Sequence, residues 1–430
     1  MRKIQDDSVL YSLIKPYVDH HTRRSFIRYK VLGRENIPTD GACVFGSNHC
    51  NTLMDAMVLL AATKGKKVFI ARGDIFKNPT TANILKWIRI LPIFRMRDGI
   101  GAVRDKNGDT ISQAVDVLHD EVPLCLFPEA THRTKHSLRP LSKGIFHIAL
   151  EANKQFGKEK PIYIVPVGLE YGDYFRFRST VVVSFGKPIN VTEYLKGREN
   201  DNEAVIINEL KALLTQRMSE LISFIPDDDE DYEAIWETIK VRAGRNRRDP
   251  VMQLLNNKKT IAEILDIKKE KPKELMDQFF DKAIRWEQCR KKEKISVTTL
   301  SRVMKGKLRT WKTLLRTLLM LVGLPFFVAA AAVTSPIWIV AYFILKNLKD
   351  KAFRNTVNFG VELVLHPLIT ATGMTLLFCM APWEIAVIGS VFLYFSYVYF
   401  CDYCEFLRIL MSDWRWFFKR KKILTSLYLF

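Results

Sequence analysis

Apolar and polar positions along this chain follow two different rhythms, and the change falls near Met304. Val9, Leu10, Leu13, Ile14, Tyr17 and Val18 recur at helical spacing, which predicts an amphipathic helix within residues 1–30. Phe26–Leu32 reads as a strand, and Pro38, Asp40 and Gly41 as a turn. Short apolar runs then alternate with amphipathic ones. They predict strands at Cys43–Gly46, Lys67–Ala71, Val122–Phe127, Ile162–Leu169 and Val181–Phe185, with an extended stretch at Leu91–Met96. The amphipathic runs predict helices at Thr52–Thr63, Asn83–Ile90, Thr110–Leu118 and Ser142–Phe156. This alternation predicts an α/β domain, a mostly parallel sheet with flanking helices.

Beyond Met304 the pattern is apolar without strand or loop punctuation. Uncharged runs of 29 residues (Thr317–Leu345), 21 (Leu363–Trp383) and 17 (Ile385–Cys401) follow one another. A membrane-crossing helix takes about 20 mostly apolar residues, so these runs predict C-terminal transmembrane helices and an integral membrane protein. The expected organisation is an amphipathic helix (1–30), a catalytic domain (31–225), a charged, basic helical region (226–312), a transmembrane region (313–410) and a basic aromatic end (411–430). The acidic run PDDDEDYE from Pro226 closes the catalytic domain, and Ile261–Arg290 reads as one charged helix.

Charge adds a topology. The net charge is +20, and residues 240–312 carry 22 Lys and Arg against 9 Asp and Glu. Beside apolar spans such a stretch favours anionic headgroups over nucleic acid, for which no recognition motif or zinc spacing is present. Lys305, Lys307, Arg309, Lys312 and Arg316 precede the first apolar run, while Lys346, Lys349, Lys351 and Arg354 follow it. Arg415 and Lys419–Lys422 follow the last run, and the link around Pro382 has no cation. The positive-inside rule then makes the last two runs a hairpin with both ends cytoplasmic. The first run becomes a re-entrant pair bent near Gly323–Pro325 or Ser335–Pro336, with three simple spans as the alternative. The catalytic domain is expected on the cytoplasmic face.

Seven scattered cysteines imply no disulfide framework. Cys401 and Cys404 lack a second pair for zinc and read as buried thiols. His20 and His21 read as surface residues, and the N-terminus is not expected to be a secretory signal.

Two stretches carry chemistry. In SNHCNTLMDAMVL, His49 and Asp55 are separated by five residues, so they meet only if His49 lies in a loop before the helix. Thr52 with Asp55 fits a capping box, which places the helix start at Thr52 and His49 outside it. The same pattern allows Asp55 to be a cap and nothing more, and the stretch alone leaves both readings open. FPEATHRTKHSLRPLSKG, from Phe127, ends a strand in Pro-Glu and surrounds Glu129 with Arg133, Lys135, Arg139 and Lys143. That mixture suits a polyol phosphate, the carboxylate taking hydroxyls and the cations taking phosphate. A solvated loop with one ion pair is the bland rival. Both stretches follow predicted strands, where ligands of parallel sheets bind.

NHCNTLMD, LPIFRMR, FPEATH with LSKG, and IVPVGL, in this order, resemble the four motifs of the glycerolipid acyltransferases that act on glycerol-3-phosphate and 1-acylglycerol-3-phosphate. The resemblance covers residues 30–190, and VLGRENIPTDG resembles the lead-in to the first motif. Five residues between His49 and Asp55, where four are commoner, are similar to the branch acting on glycerol-3-phosphate or dihydroxyacetone phosphate. Ala130 stands where glycine is usual. His132 stands where arginine is common, and no role follows for it.

The resemblance implies roles. His49 takes the proton of the acceptor hydroxyl as it attacks an acyl thioester, and Asp55 orients the imidazole and stabilises its charge. Arg97 holds the acceptor phosphate, with Arg95 the near alternative. Glu129 binds the glycerol backbone, Lys143 and Gly144 support the phosphate end, and Pro166 shapes the acyl or donor pocket. No cofactor or metal is expected; acyl-CoA or acyl-carrier protein is the donor, and membrane lipids are further partners. Glycerol-3-phosphate is the expected acceptor and lysophosphatidic acid its rival. A non-catalytic lipid-binding scaffold is the reading from another class, and the intact His49, Asp55 and Glu129 weigh against it.

Overall fold

The computed structural model describes residues 3–94, 100–226, 231–244, 248–348 and 350–428, with side chains of 100–107 and 422–428 left aside. Close contacts divide the chain into two units. The first comprises residues 1–23, 29–171 and 181–224. The second comprises 24–28, 172–180 and 225–430.

Strands β1 (Phe26–Leu32), β2 (Ala42–Ser47), β3 (Val68–Arg72), β4 (Ile90–Ile93), β5 (Leu124–Leu126), β6 (Ile162–Tyr171), β7 (Ser179–Phe185) and β8 (Ile189–Asn190) form one sheet. Its order is β1-β7-β6-β2-β5-β3-β4, with β8 also on β6. β2, β3, β4, β5 and β6 run parallel, and β7 and β8 pair antiparallel to β6. The parallel α/β expectation therefore holds.

Helices α1 (Val9–Arg24), α2 (Leu53–Ala62), α3 (Pro79–Trp87), α4 (Ile100–His119), α5 (Gly144–Phe156), α6 (Val191–Tyr194) and α7 (Glu203–Ser219) flank or precede these strands. Parallel strands are covered on both faces, and β2 is buried at all six positions. On one face Val44, Ile70, Leu124 and Ile164 pack against Leu118 of α4, Phe146 and Ile148 of α5, and Leu210 and Leu214 of α7.

Several expectations shift. The helix read at Asn83–Ile90 forms earlier, because Asn78 caps Thr80 and Thr81 and Pro79 opens α3; Ile90 falls in β4. The apolar stripe of α1 stays outside, with Val9 and Leu13 exposed. Its other face buries His21, whose ring lies 4.5 Å from Tyr17, so only His20 is a surface residue.

In the second unit, the single helix expected over Ile261–Arg290 is two, because Pro272 breaks it: α9 (Pro250–Glu270) and α10 (Lys273–Lys292). They share a core with α8 (Tyr232–Ala243) through Ile235, Ile239, Ile261, Ile264, Met276 and Phe280. α11 (Val297–Met304) leads to α12 (Thr310–Val333), α13 (Ser335–Lys346), α14 (Arg354–Met380) and α15 (Trp383–Tyr428). α12 runs unbroken through Gly323–Pro325, and the break comes at Thr334, before Ser335–Pro336. By length and composition, the described residues hold three helices able to cross a membrane, at Thr310–Val333, Lys351–Met380 and Trp383–Lys421. Cys401 is half-buried on α15, and Cys404 is exposed rather than buried.

One backbone position in the first unit is unforgiving. Gly33 has φ +69°, and a Cβ there would stand 2.1 Å from the Phe185 carbonyl oxygen. Gly33→Ala combines a left-handed penalty with a backbone clash, so it should cost about 2 kcal/mol or more, read by denaturant unfolding.

Candidate active site

β2 lies between β5 and β6, all three parallel, so the loops leaving their carboxyl ends emerge side by side. Ser47 pairs with Val167, and β6 therefore continues past the end of β2 by four residues, to Tyr171. The loop from Asn48 to Thr52 is wedged between that overhang and the Phe127–Ala130 turn that follows β5. Asn48 fixes the first side: its amide donates to the Leu169 carbonyl at 3.0 Å and accepts from the Leu169 N–H at 2.7 Å. Glu129 fixes the second. One carboxylate oxygen accepts the His49 N–H at 2.9 Å and the other the Arg139 N–H at 3.0 Å. The His49 carbonyl in turn accepts the Arg133 N–H at 2.9 Å.

Between these braces His49 and Asp55 meet. Imidazole Nδ1 lies 2.8 Å from Asp55 Oδ2. The same oxygen accepts the N–H of Cys50 at 2.8 Å and of Asn51 at 2.7 Å. Oδ1 accepts the Tyr171 hydroxyl at 2.8 Å. No side-chain hydrogen bond caps α2 at Thr52, so the expected capping box does not form. Thr52 instead takes φ 47°, and that turn points the Cys50 and Asn51 amides back at the carboxylate. His49 lies in the loop, outside the helix, as the dyad reading requires.

The electrostatics follow from burial. Asp55 is fully enclosed, whereas the His49 side chain keeps 20% exposure. A buried carboxylate is tolerable only with its lone pairs satisfied, and here four N–H and O–H groups converge on it, with the Cys50 thiol at 3.9 Å besides. Burial, and then the Asp55 charge, push the Tyr171 phenol far up, so it stays a donor. Burial likewise raises the neighbouring Cys50 thiol, which stays protonated. Burial raises the Glu129 carboxyl, against the pull of the Arg139 and His49 amides. An imidazole that donates Nδ1–H to Asp55 presents Nε2 on its far side. Phe127 stacks on the ring at 4.5 Å, and His132 stands edge-on at 5.9 Å. The arrangement holds an oriented imidazole at the sheet's carboxyl edge.

The remaining expected residues divide. Lys143 is exposed at the N-cap of α5 and Gly144 opens that helix, with Ile93 at the end of β4 directly beside it. Pro166 is buried within β6, opposite Gly46, where the strand passes from β8 to β7 as its antiparallel partner. Its missing N–H is tolerated at that seam. Arg95 and Arg97 lie outside the described residues. Ala130 has φ +62°, the left-handed conformation that suits the usual glycine and costs alanine about 1–2 kcal/mol. Asn48 and Tyr171 were not anticipated. Asn48 adjoins His49 in sequence, but nothing local announces its partner. Tyr171 acts across 116 residues, and only the overhang of β6 brings it near.

Residues 28–170 match the family model described as Acyltransferase. The chain is 27% identical over 141 residues to glycerol-3-phosphate O-acyltransferase 2 of Saccharomyces cerevisiae, covering 32% of this chain and 19% of that protein. It is 27% identical over 154 residues to human 1-acyl-sn-glycerol-3-phosphate acyltransferase alpha, covering 35% of this chain and 48% of that one. The matches thus span less than half of these relatives' lengths. The solved 1-acyl-sn-glycerophosphate acyltransferase of Thermotoga maritima overlaps 49% of this chain and 80% of its own, at 18% identity and a TM-score of 0.35.

Asn48→Ala should strand the buried Leu169 N–H and leave the Leu169 carbonyl only the weak Cys50 thiol at 3.9 Å. At about 1–3 kcal/mol for a stranded group, a loss of about 1–3 kcal/mol is expected in denaturant unfolding. Wild-type stability would show that the loop is not held from that side.

Proposed function

Taking residues 28–170 as an acyltransferase-family domain, we propose that this protein transfers a fatty acyl group from a thioester, acyl-CoA or acyl-carrier protein, to the hydroxyl of glycerol-3-phosphate. The observation that carries this reading is the His49–Asp55 contact at 2.8 Å, within a carboxylate otherwise saturated by the chain. Nε2 of His49 takes the hydroxyl proton as the oxygen attacks the thioester carbonyl carbon. A tetrahedral oxyanion forms, the carbon–sulfur bond breaks, and the thiolate recovers the proton from the imidazolium. The products are an ester and a free thiol. Asp55 holds the imidazole through Nδ1 and offsets its transient charge. No cofactor is needed, because the thioester is already activated.

Five residues between His49 and Asp55 support glycerol-3-phosphate as acceptor. The match to the human enzyme supports 1-acylglycerol-3-phosphate as the second reading. Glu129 serves in this reading as the brace between the His49 and Arg139 loops, which leaves glycerol contact secondary to that role. Lys143, at the start of α5, suits phosphate, because a helix amino terminus favours an anion. Arg97, or Arg95, is the further phosphate ligand proposed. The ordering of basic residues around the apolar helices supports a cytoplasmic catalytic domain, next to lipid that receives the product.

The test is acyl transfer by membranes containing the protein, with labelled palmitoyl-CoA and either acceptor supplied separately. Lysophosphatidic acid made from glycerol-3-phosphate is expected; product from the lysolipid alone would move the activity to the second acylation. His49→Ala should lower turnover by about 10²–10⁴-fold, and near-normal activity would remove the dyad assignment. Tyr171→Phe deletes one donor to a buried carboxylate. At about 1.5–3 kcal/mol, kcat should fall roughly tenfold to a hundredfold while KM holds. Unchanged kcat would assign Tyr171 to packing alone.

A further inference from the structure

Three consecutive residues of the β6 overhang each hold a different part of the first unit. Leu169 bonds Asn48 through its backbone, and Tyr171 donates to Asp55. Glu170, between them, faces the other side of the strand. Its carboxylate is buried against the cationic loop that follows β5 and the segment that follows α7. Oε1 lies 3.5 Å from His136 Nδ1 and accepts the Ser223 hydroxyl at 2.6 Å. Oε2 accepts the Ser223 N–H at 3.0 Å. Side-chain exposure is 9% at Glu170 and 2% at His136.

Burying such a pair seldom adds stability over apolar side chains of similar volume. Burial pushes the Glu170 carboxyl up, but His136 and the Ser223 donors outweigh it and leave the group below its ordinary value. Beside His136, the buried Ser137 hydroxyl finds no partner among the described residues. Tucking residues 136–137 inward thus costs the loop a hydroxyl, and Glu170 is the group that meets the tuck from the sheet.

What the tuck holds is a row of cations. The Arg133 N–H donates to the His49 carbonyl at 2.9 Å. The Arg139 N–H donates to Glu129, whose other oxygen takes the His49 N–H. The Arg139 guanidinium closes the loop on Thr131 Oγ1 at 2.9 Å. Both ends are therefore tied to the loop of His49, and His136 is the tie at the middle. Arg133 and Lys135 are half-buried, and Arg139 is exposed. Cations so placed beside an imidazole suit a phosphate.

We propose that Glu170 is a positioning residue: through His136 it fixes the loop 133–139, whose Arg133, Lys135 and Arg139 bind a substrate phosphate beside His49. This rests on the acyl-transfer reading above. The phosphate is that of the acceptor or that of the CoA donor, and kinetics separate the two.

Glu170→Gln removes the charge, whereas His136→Leu removes the tie and leaves Ser223 on the carboxylate. Both are made in the full-length protein, purified in detergent. Amide exchange of residues 133–139 should run about tenfold faster in each, with residues 48–55 unchanged. KM for one substrate should rise about tenfold while kcat stays within about threefold. A rise for glycerol-3-phosphate assigns the loop to the acceptor, and a rise for palmitoyl-CoA assigns it to the donor. In a protein carrying Arg133→Gln, Lys135→Gln and Arg139→Gln, Glu170→Gln should raise KM no further, because it acts only through those cations. Unchanged exchange and KM, an undiminished rise in that background, or a fall in kcat with KM held would overturn the proposal. Wild-type protein that acylates neither acceptor would overturn the acyl-transfer reading by itself. Saturating glycerol-3-phosphate or CoA should still slow exchange of 133–139 in the wild type and not in Glu170→Gln, and no slowing by either would overturn the phosphate site.

Discussion

A carboxylate sealed from water must have its lone pairs filled, and at Asp55 that requirement organises everything around it. Its donors come from four places: the His49 ring, the Cys50 and Asn51 amides, and the Tyr171 hydroxyl. The amides reach it only because Thr52 adopts a positive φ, and the hydroxyl only because β6 outlasts β2. The dyad is thus the visible part of a larger arrangement of backbone and strand length.

The parallel sheet is what lets this arrangement form. β2 sits centrally with β5 and β6 as neighbours, so loops nearly 80 residues apart in the chain share one edge. Asn48 and Glu129 then hold the His49 loop from opposite sides, each through two hydrogen bonds to backbone. A residue that resembles a substrate ligand by motif, Glu129, here accepts the backbone N–H groups of His49 and Arg139. The place of the imidazole is set by those braces.

The helical unit answers to a different constraint, the incompatibility of unpaired polar backbone with hydrocarbon. Glu362 on α14 and Asp402 and Glu405 on α15 each lie beside an arginine, and α12 turns apolar surface outward. Composition sees only the apolar runs between those acids.

Much of this was legible in the chain alone. Alternating short apolar runs determined an α/β domain, since strands buried on both faces leave uninterrupted apolar stretches, and long uncharged runs determined helices suited to lipid. The order of the four motifs determined the chemistry to look for and named His49 and Asp55. Local signals at Asn78–Pro79 and Lys271–Pro272 also carried helix boundaries, although the periodicity over them pointed elsewhere. Tertiary structure alone showed which groups meet Asp55, because its donors include a phenol 116 residues away. It alone assigned Asn48 to Leu169 and set the level at which arginines meet α14 and α15. Periodicity records which way a residue faces, whereas a hydrogen bond across a sheet or a bundle depends on strand register and helix packing, which no local stretch encodes.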